Sequence, residues 1–442
     1  MPTTRAHLIS ASLALVAAMS TGREARAQHE GHAGMAMDST RPSPAPNSLH
    51  VMVQAIPVVT RAHNTAGRRD LTEGYLAQWV AMGGGRLLQG HLLFDVTLNG
   101  EGLTLRRGEL STGAFGEGFV DRRHPHTYLH ELIATGVGRV GALGYSASIG
   151  RGFVPFGTDD PMMRPFEKYP INHHLSQILE RGLAIGALRL GPAILEASTF
   201  GGDEPTSPSA LPRRDRLGDS WSTRFTVLPF TGAELQASYA KVRSPEQPGG
   251  FGLDQRKQSV SGRFVSANGN RYLLGEWART DERDRDRDIA VFGYETALLE
   301  GAATFGPMDI GLRLEQTERP EEERLADPFR TPRPASDLSI AGITRWRTAT
   351  AAVAFPGATF GPLRGYPYVE LERLAASSRS PTDIFDARQF YGSPIWMISL
   401  GVRIRYGVMH PRMGRYGVAL PAGPTLHALG VDPKQSPVHV GH

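Results

Sequence analysis

The sequence predicts an all-β fold, a transmembrane antiparallel β-barrel of about 16 strands (roughly 14–18). Three observations predict it. From residue 49 onward, segments of about ten residues alternate apolar with polar side chains, the period of a half-apolar strand rather than of a helix. The links between these segments alternate strictly between short and long, the layout of a barrel with tight turns at one rim and long loops at the other. Beyond the N-terminal leader, no apolar run approaches the roughly 18 residues of a membrane-spanning helix. A soluble β-sandwich or propeller would also alternate. Neither predicts turns this short at one end and loops this long at the other.

The elements follow in order. Arg5, the apolar stretch from Leu8 to Met19 and the Ala25-Arg26-Ala27 site mark residues 1–27 as a secretory signal peptide, so the mature chain should begin at Gln28 and be exported. Residues 28–48 form a His-, Met- and Pro-rich segment expected in the periplasm. The barrel is expected over 49–406. Its strands are read at 49–60, 72–82, 86–98, 129–136, 139–150, 182–190, 193–200 and 220–228, then at 232–242, 256–266, 270–280, 288–301, 309–317, 340–355, 364–374 and 395–406. Leu92, Phe94, Val96 and Leu98 share one face of the third, opposite Asp95 and Thr97. Leu235, Ala237 and Tyr239 stand opposite Glu234, Gln236 and Ser238 in the ninth. Ile310, Leu312 and Leu314 oppose Arg313 and Glu315, and Val402, Ile404 and Tyr406 oppose Arg403 and Arg405.

The short links are GGG (83–85), the GVG region (136–138), GP (191–192), LPFT (228–231), ANGN (267–270), FGPM (305–308) and FGPL (360–363). Long polar links include 99–128, 151–181, 201–219, 318–339 and 375–394. An even strand number places both chain ends on the periplasmic side. The tail, 407–442, should then either cap the periplasmic mouth or enter the lumen.

Composition narrows the chemistry. The chain has no cysteine, which excludes thiolate metal sites and fits export without a disulfide framework. A formal net charge of +4 gives no reason to expect nucleic acid. Lysine stands only at 168, 241, 257 and 434, so nearly all 48 basic residues are Arg. Two readings stay open, GC-rich codon usage or a lumen lined with guanidinium groups that hold anions. The charge runs RTDERDRDRD (279–288) and RPEEERLAD (319–327) read as solvated loop tips without chemistry.

Two stretches concentrate side chains that could act. DRRHPHTYLHEL (121–132) carries Asp121, Arg122, Arg123, His124, His126, His130 and Glu131. Residues two apart on a strand share a face, so His124 and His126 could point into the lumen together and, with a carboxylate, bind zinc, copper or nickel. The third long loop, GTDDPMMRPFEKYPINHHLSQILERG (157–182), carries Asp159, Asp160, Arg164, Lys168, His173, His174, Glu180 and Arg181. These groups read three ways: a hydrogen-bonded network bracing two loops, a metal or anion site, or an acid/base constellation. No Ser/His/Asp order and no glycosidase-like carboxylate pair is recognisable, so no catalytic residue and no enzyme is predicted. At the mature N-terminus, His29, His32, Met35 and Met37 offer imidazole and thioether ligands that select copper, and His439 and His442 end the chain.

Asp121, Arg122, His124, Pro125, His126, Glu131 and Leu132 fit the form D-R-x-H-P-H-x-x-x-x-E-L. In this the chain resembles a poorly characterised group of outer-membrane β-barrels, over roughly residues 70–200. The resemblance implies a porin-like barrel in the bacterial outer membrane, accompanying copper- or heavy-metal-handling genes. An apolar residue is expected at the position of His130 in that group, which argues against a ligand role for it. Ser399, Gly401, Ile404 and Tyr406 resemble the C-terminal signal read by the barrel-assembly machinery, with a tail where such barrels usually end.

By analogy with general porins, whose third loop folds inward, loops 99–128 and 151–181 are expected to narrow the pore. Three functions follow: a channel for a small polar, anionic or metal-linked solute; a copper- or heavy-metal-binding barrel; or an outer-membrane hydrolase. Expected partners are outer-membrane lipid, lipopolysaccharide and a homo-oligomer, with copper or another divalent metal as the only candidate cofactor.

Overall fold

The computed structural model describes residues 47–65, 69–104, 126–158, 160–171, 173–247, 249–322, 340–391, 394–407, 412–421, 423–424 and 426. Residues 1–27, expected to be a leader, the His29–Met37 segment, residues 121–125, Asp159, and His439 and His442 lie outside them, as do the side chains of His173 and His174.

The described strands are β1 (Ser48–Thr65), β2 (Arg69–Leu87), β3 (Leu92–Asn99), β4 (Leu129–Val140), β5 (Leu143–Gly152), β6 (Arg181–Leu190), β7 (Ala193–Phe200), β8 (Ser220–Val227) and β9 (Ala233–Val242). They continue with β10 (Asp254–Val265), β11 (Arg271–Asp284), β12 (Ile289–Phe305), β13 (Met308–Glu322), β14 (Ile340–Ala354), β15 (Ala358–Phe360), β16 (Leu363–Ser378) and β17 (Ile395–Gly407). Each long strand pairs antiparallel with its sequence neighbours, and β1 pairs with β17, where Thr60 stands opposite Ser399. That pairing closes the sheet and removes both edges. The three-residue β15 adds a short pairing to β16, and β14 pairs with β16 directly. Sixteen strands therefore form the wall, the number the alternation predicts.

The two faces of the wall are chemically inverted relative to a soluble protein. Leu195, Phe225, Leu235, Val260, Leu312, Leu314, Leu371 and Leu400 are exposed on the outside. Their neighbours Glu196, Arg224, Glu234, Arg313, Glu315, Glu370 and Ser399 are buried inside. A soluble protein does not leave an apolar band all round itself bare. A closed antiparallel barrel with apolar side chains outward and polar ones inward is the form that spans the bacterial outer membrane, and that is where this chain belongs.

Several boundaries differ from the sequence reading, for physical reasons. The glycines of GGG do not turn the chain; they lie within β2, and the turn follows at 88–91. A Cβ on Gly85 would stand 2.5 Å from the Ser48 carbonyl oxygen and 2.9 Å from the Phe94 ring, so glycine there permits close approach to both neighbours. The GVG region likewise lies inside β4, which turns only at 141–142. Two-residue turns do occur at 191–192 and 306–307, where Gly191 and Gly306 take positive φ.

The strict alternation of link lengths fails twice. β1 and β2 are joined by 66–68, and β11 and β12 by 285–288, because these strands run on past the expected ends. RTDERDRDRD is therefore largely β11, and Arg319 and Glu321 of the second charge run are buried on β13.

The chain fills its own barrel. Residues 153–158 and 160–171 of the β5–β6 loop are buried throughout, and Phe153, Met162, Met163, Phe166 and Tyr169 pack against Met52, Ile56, Val58, Val80, Met82 and Leu274 of the wall. Met413 belongs to the same cluster, so the segment after β17 takes the second of its two expected courses and enters the lumen.

Candidate functional site

A loop threaded through a barrel leaves the sheet's hydrogen-bond ladder, so its N–H and C=O groups need other partners. The wall supplies them with charged side chains. Gly157 donates its N–H to Ser238 Oγ (2.9 Å), and Arg224 Nη1 donates to the Gly157 carbonyl (3.2 Å). Asp160 accepts from Met162 N (2.8 Å) and opens a single 3-10 turn, Pro161–Met163. The Arg164 guanidinium donates to Thr158 Oγ1 (2.7 Å) and reaches Glu276 on β11 (3.3 Å) and Glu300 on β12 (3.8 Å).

Further on, Glu370 accepts from the N–H groups of Glu167 (3.0 Å) and Lys168 (3.1 Å). Arg313 donates to the Lys168 carbonyl (2.8 Å) and Arg403 to the Pro165 carbonyl (3.2 Å). Lys168 Nζ donates to Tyr75 OH (2.9 Å) and Thr60 Oγ1 (3.2 Å), and stands 3.8 Å from Glu167. The loop thus spans the lumen from β8 and β9 to β16, β17, β1 and β2. Neither Glu167 carboxyl oxygen accepts a hydrogen bond among the described residues. Burial pushes this carboxyl up to about 8 against the opposing charge of Lys168, with Glu370 and Glu372 raising it further.

The C-terminal segment is held by a second set. Glu196 receives Arg224 through two hydrogen bonds (2.7 and 2.7 Å) and Arg415 at 3.3 Å. Glu234 pairs with Arg415 and with Arg412 (3.0 Å). Arg224 Nη2 also donates to the Gly414 carbonyl (2.8 Å), so one guanidinium holds both inserted segments. Burial pulls Arg415 down to about 10, with Arg224 adding to the effect, so it stays protonated at neutral pH. Every charge here is nearly dry, and such charges persist only when paired.

Two of the described histidines, His126 and His130, meet at the long-loop rim. His130 Nδ1 donates to Glu180 Oε1 at 2.6 Å, His126 Nδ1 stands 3.7 Å from the same oxygen, and Thr127 N donates to it at 2.7 Å. The His126 and His130 rings meet edge to face with centroids 5.3 Å apart. Two backbone devices build this cluster. The β3–β4 register skips between Thr97 opposite Glu131 and Leu98 opposite Leu129, so His130 is a bulge residue and turns inward beside Glu131. Glu180 takes φ +59, a left-handed conformation rare outside glycine. Burial raises the Glu180 carboxyl, but the imidazoles of His126 and His130 outweigh it and hold it well below the usual carboxylate range.

The expected site residues therefore separate. Asp121, Arg122, Arg123, His124 and Asp159 lie outside the described residues, and His173 and His174 fall on the short helix His173–Ser176. His126 precedes β4 rather than lying on a strand, and His124, its expected two-apart partner, lies outside the described residues. His130, a lumen candidate against whose ligand role the resemblance argued, is the imidazole closest to the carboxylate. Glu131 leaves the histidines and accepts from Thr97 Oγ1 (3.0 Å) and Tyr416 OH (2.6 Å). Asp160, Arg164 and Lys168 all lie inside the barrel on the loop.

Sequence reasoning noted Glu180 without singling it out, and missed Glu196, Glu276, Glu300, Glu370, Arg224, Arg412 and Arg415 as anchors. The wall members among them carry one available signal, a charged residue on the polar face of an alternating segment.

No family model and no curated protein matches the chain. Among solved structures it is similar to an anion-selective porin from Comamonas acidovorans, at 10% identity over 82% of this chain and 100% of that one, with a TM-score of 0.49. It is also similar to Pseudomonas putida OprB (13% identity, 82% and 94% covered, TM-score 0.47). The outer membrane channel DcaP of Acinetobacter baumannii is similar at 10% identity, with 83% and 98% covered and a TM-score of 0.46.

Proposed function

We propose that this chain is a porin-like channel of the outer membrane for a small polar solute, anionic or metal-linked, with the β5–β6 loop as its constriction. The observation that carries the reading is a wall of charged side chains facing a lumen across which one long loop is folded. A purely structural barrel could fill its interior with apolar side chains; a path for a polar solute needs polar walls and a narrowing element. Guanidinium and carboxylate groups of both signs line this one, and they now hold the loop and the C-terminal segment. The same groups are available to a solute when the inserted segments shift.

The hydrolase reading is weaker, because Glu131 is engaged by Thr97 and Tyr416 while His126 faces Glu180. The proposal includes contacts with outer-membrane lipid and lipopolysaccharide, recognition of Ser399–Tyr406 during assembly, self-association, and copper binding by the His29–Met37 segment.

Planar-bilayer recording on the full mature chain tests the channel. Small unitary currents are expected from the wild type, and clearly larger ones when Glu276→Gln and Glu370→Gln together loosen the loop. Absence of current from both proteins at every voltage would sink the reading.

A further inference from the structure

The His126–His130–Glu180 cluster needs neither an open lumen nor a conducting state, and its chemistry is that of a metal site. One ligand atom from each of the three residues lies within 4.8 Å of the others. Tetrahedral coordination at about 2.0–2.1 Å sets neighbouring ligand atoms roughly 3.3 Å apart. The two separations from Glu180 Oε1, 2.6 Å to His130 Nδ1 and 3.7 Å to His126 Nδ1, straddle that value. Small side-chain adjustments therefore suffice to place a cation between them.

We propose that His126, His130 and Glu180 bind one divalent cation of the zinc class, joining the entrance of β4 to the end of the inserted loop.

Two imidazoles and one carboxylate, without thiolate, suit Zn(II) and other borderline divalent ions, and three protein ligands leave a fourth position for water. In the metal-free state a proton on His130 Nδ1 bridges to Glu180. Coordination puts the cation in that proton's place, and the ring proton moves to Nε2. His130 Nε2 is fully buried and has no hydrogen-bond partner among the described residues. A buried ring nitrogen without a partner costs stability, so a hydrogen-bonded brace alone leaves His130 half used. Asp160 is a buried carboxyl on the inserted loop, with one oxygen also unpartnered, and both imidazoles act on its charge. Glu180 also lines a small cleft with Arg151, Asp203 and Arg213.

A hydrogen-bonded brace without metal is the competing account, and substitution chemistry separates the two. The protein is the full mature chain carrying His29→Gln, His32→Gln, Met35→Leu and Met37→Leu, so that the N-terminal ligands contribute nothing. Zn(II) is titrated by calorimetry, with metal content measured after gel filtration. One zinc per barrel is expected. His130→Asn keeps an N–H near the Nδ1 position and so preserves the brace, yet should weaken binding more than roughly 100-fold. Glu180→Gln, which still accepts a hydrogen bond, should do the same. Circular dichroism and the heat-dependent gel shift of barrels verify that each variant is folded. No zinc in the tail-substituted chain, or unchanged affinity in either folded variant, overturns the proposal.

Discussion

At Glu167 the chain buries a carboxyl that the wall does not satisfy. Its neighbours are Lys168 on the same loop, Glu370 and Glu372 on β16, and Arg403 on β17. The folded value, about 8, lies above the ordinary 4.5. Between those two pH values the inserted loop holds a proton that a released loop has lost, so insertion weakens as pH rises through this window and levels off above it. Channel current, or protease access to the loop, should therefore increase from pH 5 to pH 8. Glu167→Gln, neutral throughout, should flatten the slope. An identical slope in both proteins would remove Glu167 from the account. None of this was legible in the sequence, where Glu167 is one acid in a polar loop. What singles it out is burial against two like charges, a tertiary property.

The elements were more legible than the residues, because a strand's period is written locally and a cluster's geometry is not. Alternation places Glu234, Arg313, Glu315, Arg403 and Arg405 on polar faces, and each is buried inside the wall. It fails where one residue breaks the period. The bulge at His130 turns two successive side chains, His130 and Glu131, to the interior, and a register skip leaves no mark in a hydropathy pattern. It fails also at GGG, where turn-forming residues serve close strand packing instead. That second failure predicts a phenotype. Gly85→Val, extending a side chain toward the Ser48 carbonyl and the Phe94 ring, should overpack the β1–β2–β3 junction at a cost of about 1–3 kcal/mol. Denaturant titration of the refolded barrel measures it, and a midpoint equal to the wild type would show that the strands yield freely there. Gly136→Ala, with nothing within 4 Å of the added carbon, is the matched control and should leave the midpoint in place.

Across the whole molecule, the two inserted segments share one interior. Phe153 N donates to Tyr416 OH at 3.1 Å, and Arg224 holds a carbonyl from each segment, so loop and C-terminal segment lie side by side at that level. A path obstructed by two neighbouring segments opens little when one is loosened, because the other relaxes into the space. Loosening both should do more than the sum. The Glu276→Gln, Glu370→Gln pair weakens the loop's anchors on the far wall, and Glu234→Gln weakens the pairing with Arg412 and Arg415. The two sets have no partner in common, so a simple additive outcome is the baseline. Combined in one chain, they should raise unitary conductance beyond the added increments of the two parents. Strict additivity would mean that the segments obstruct separate routes, and a combined value no greater than the larger parent would mean that only one of them limits the path.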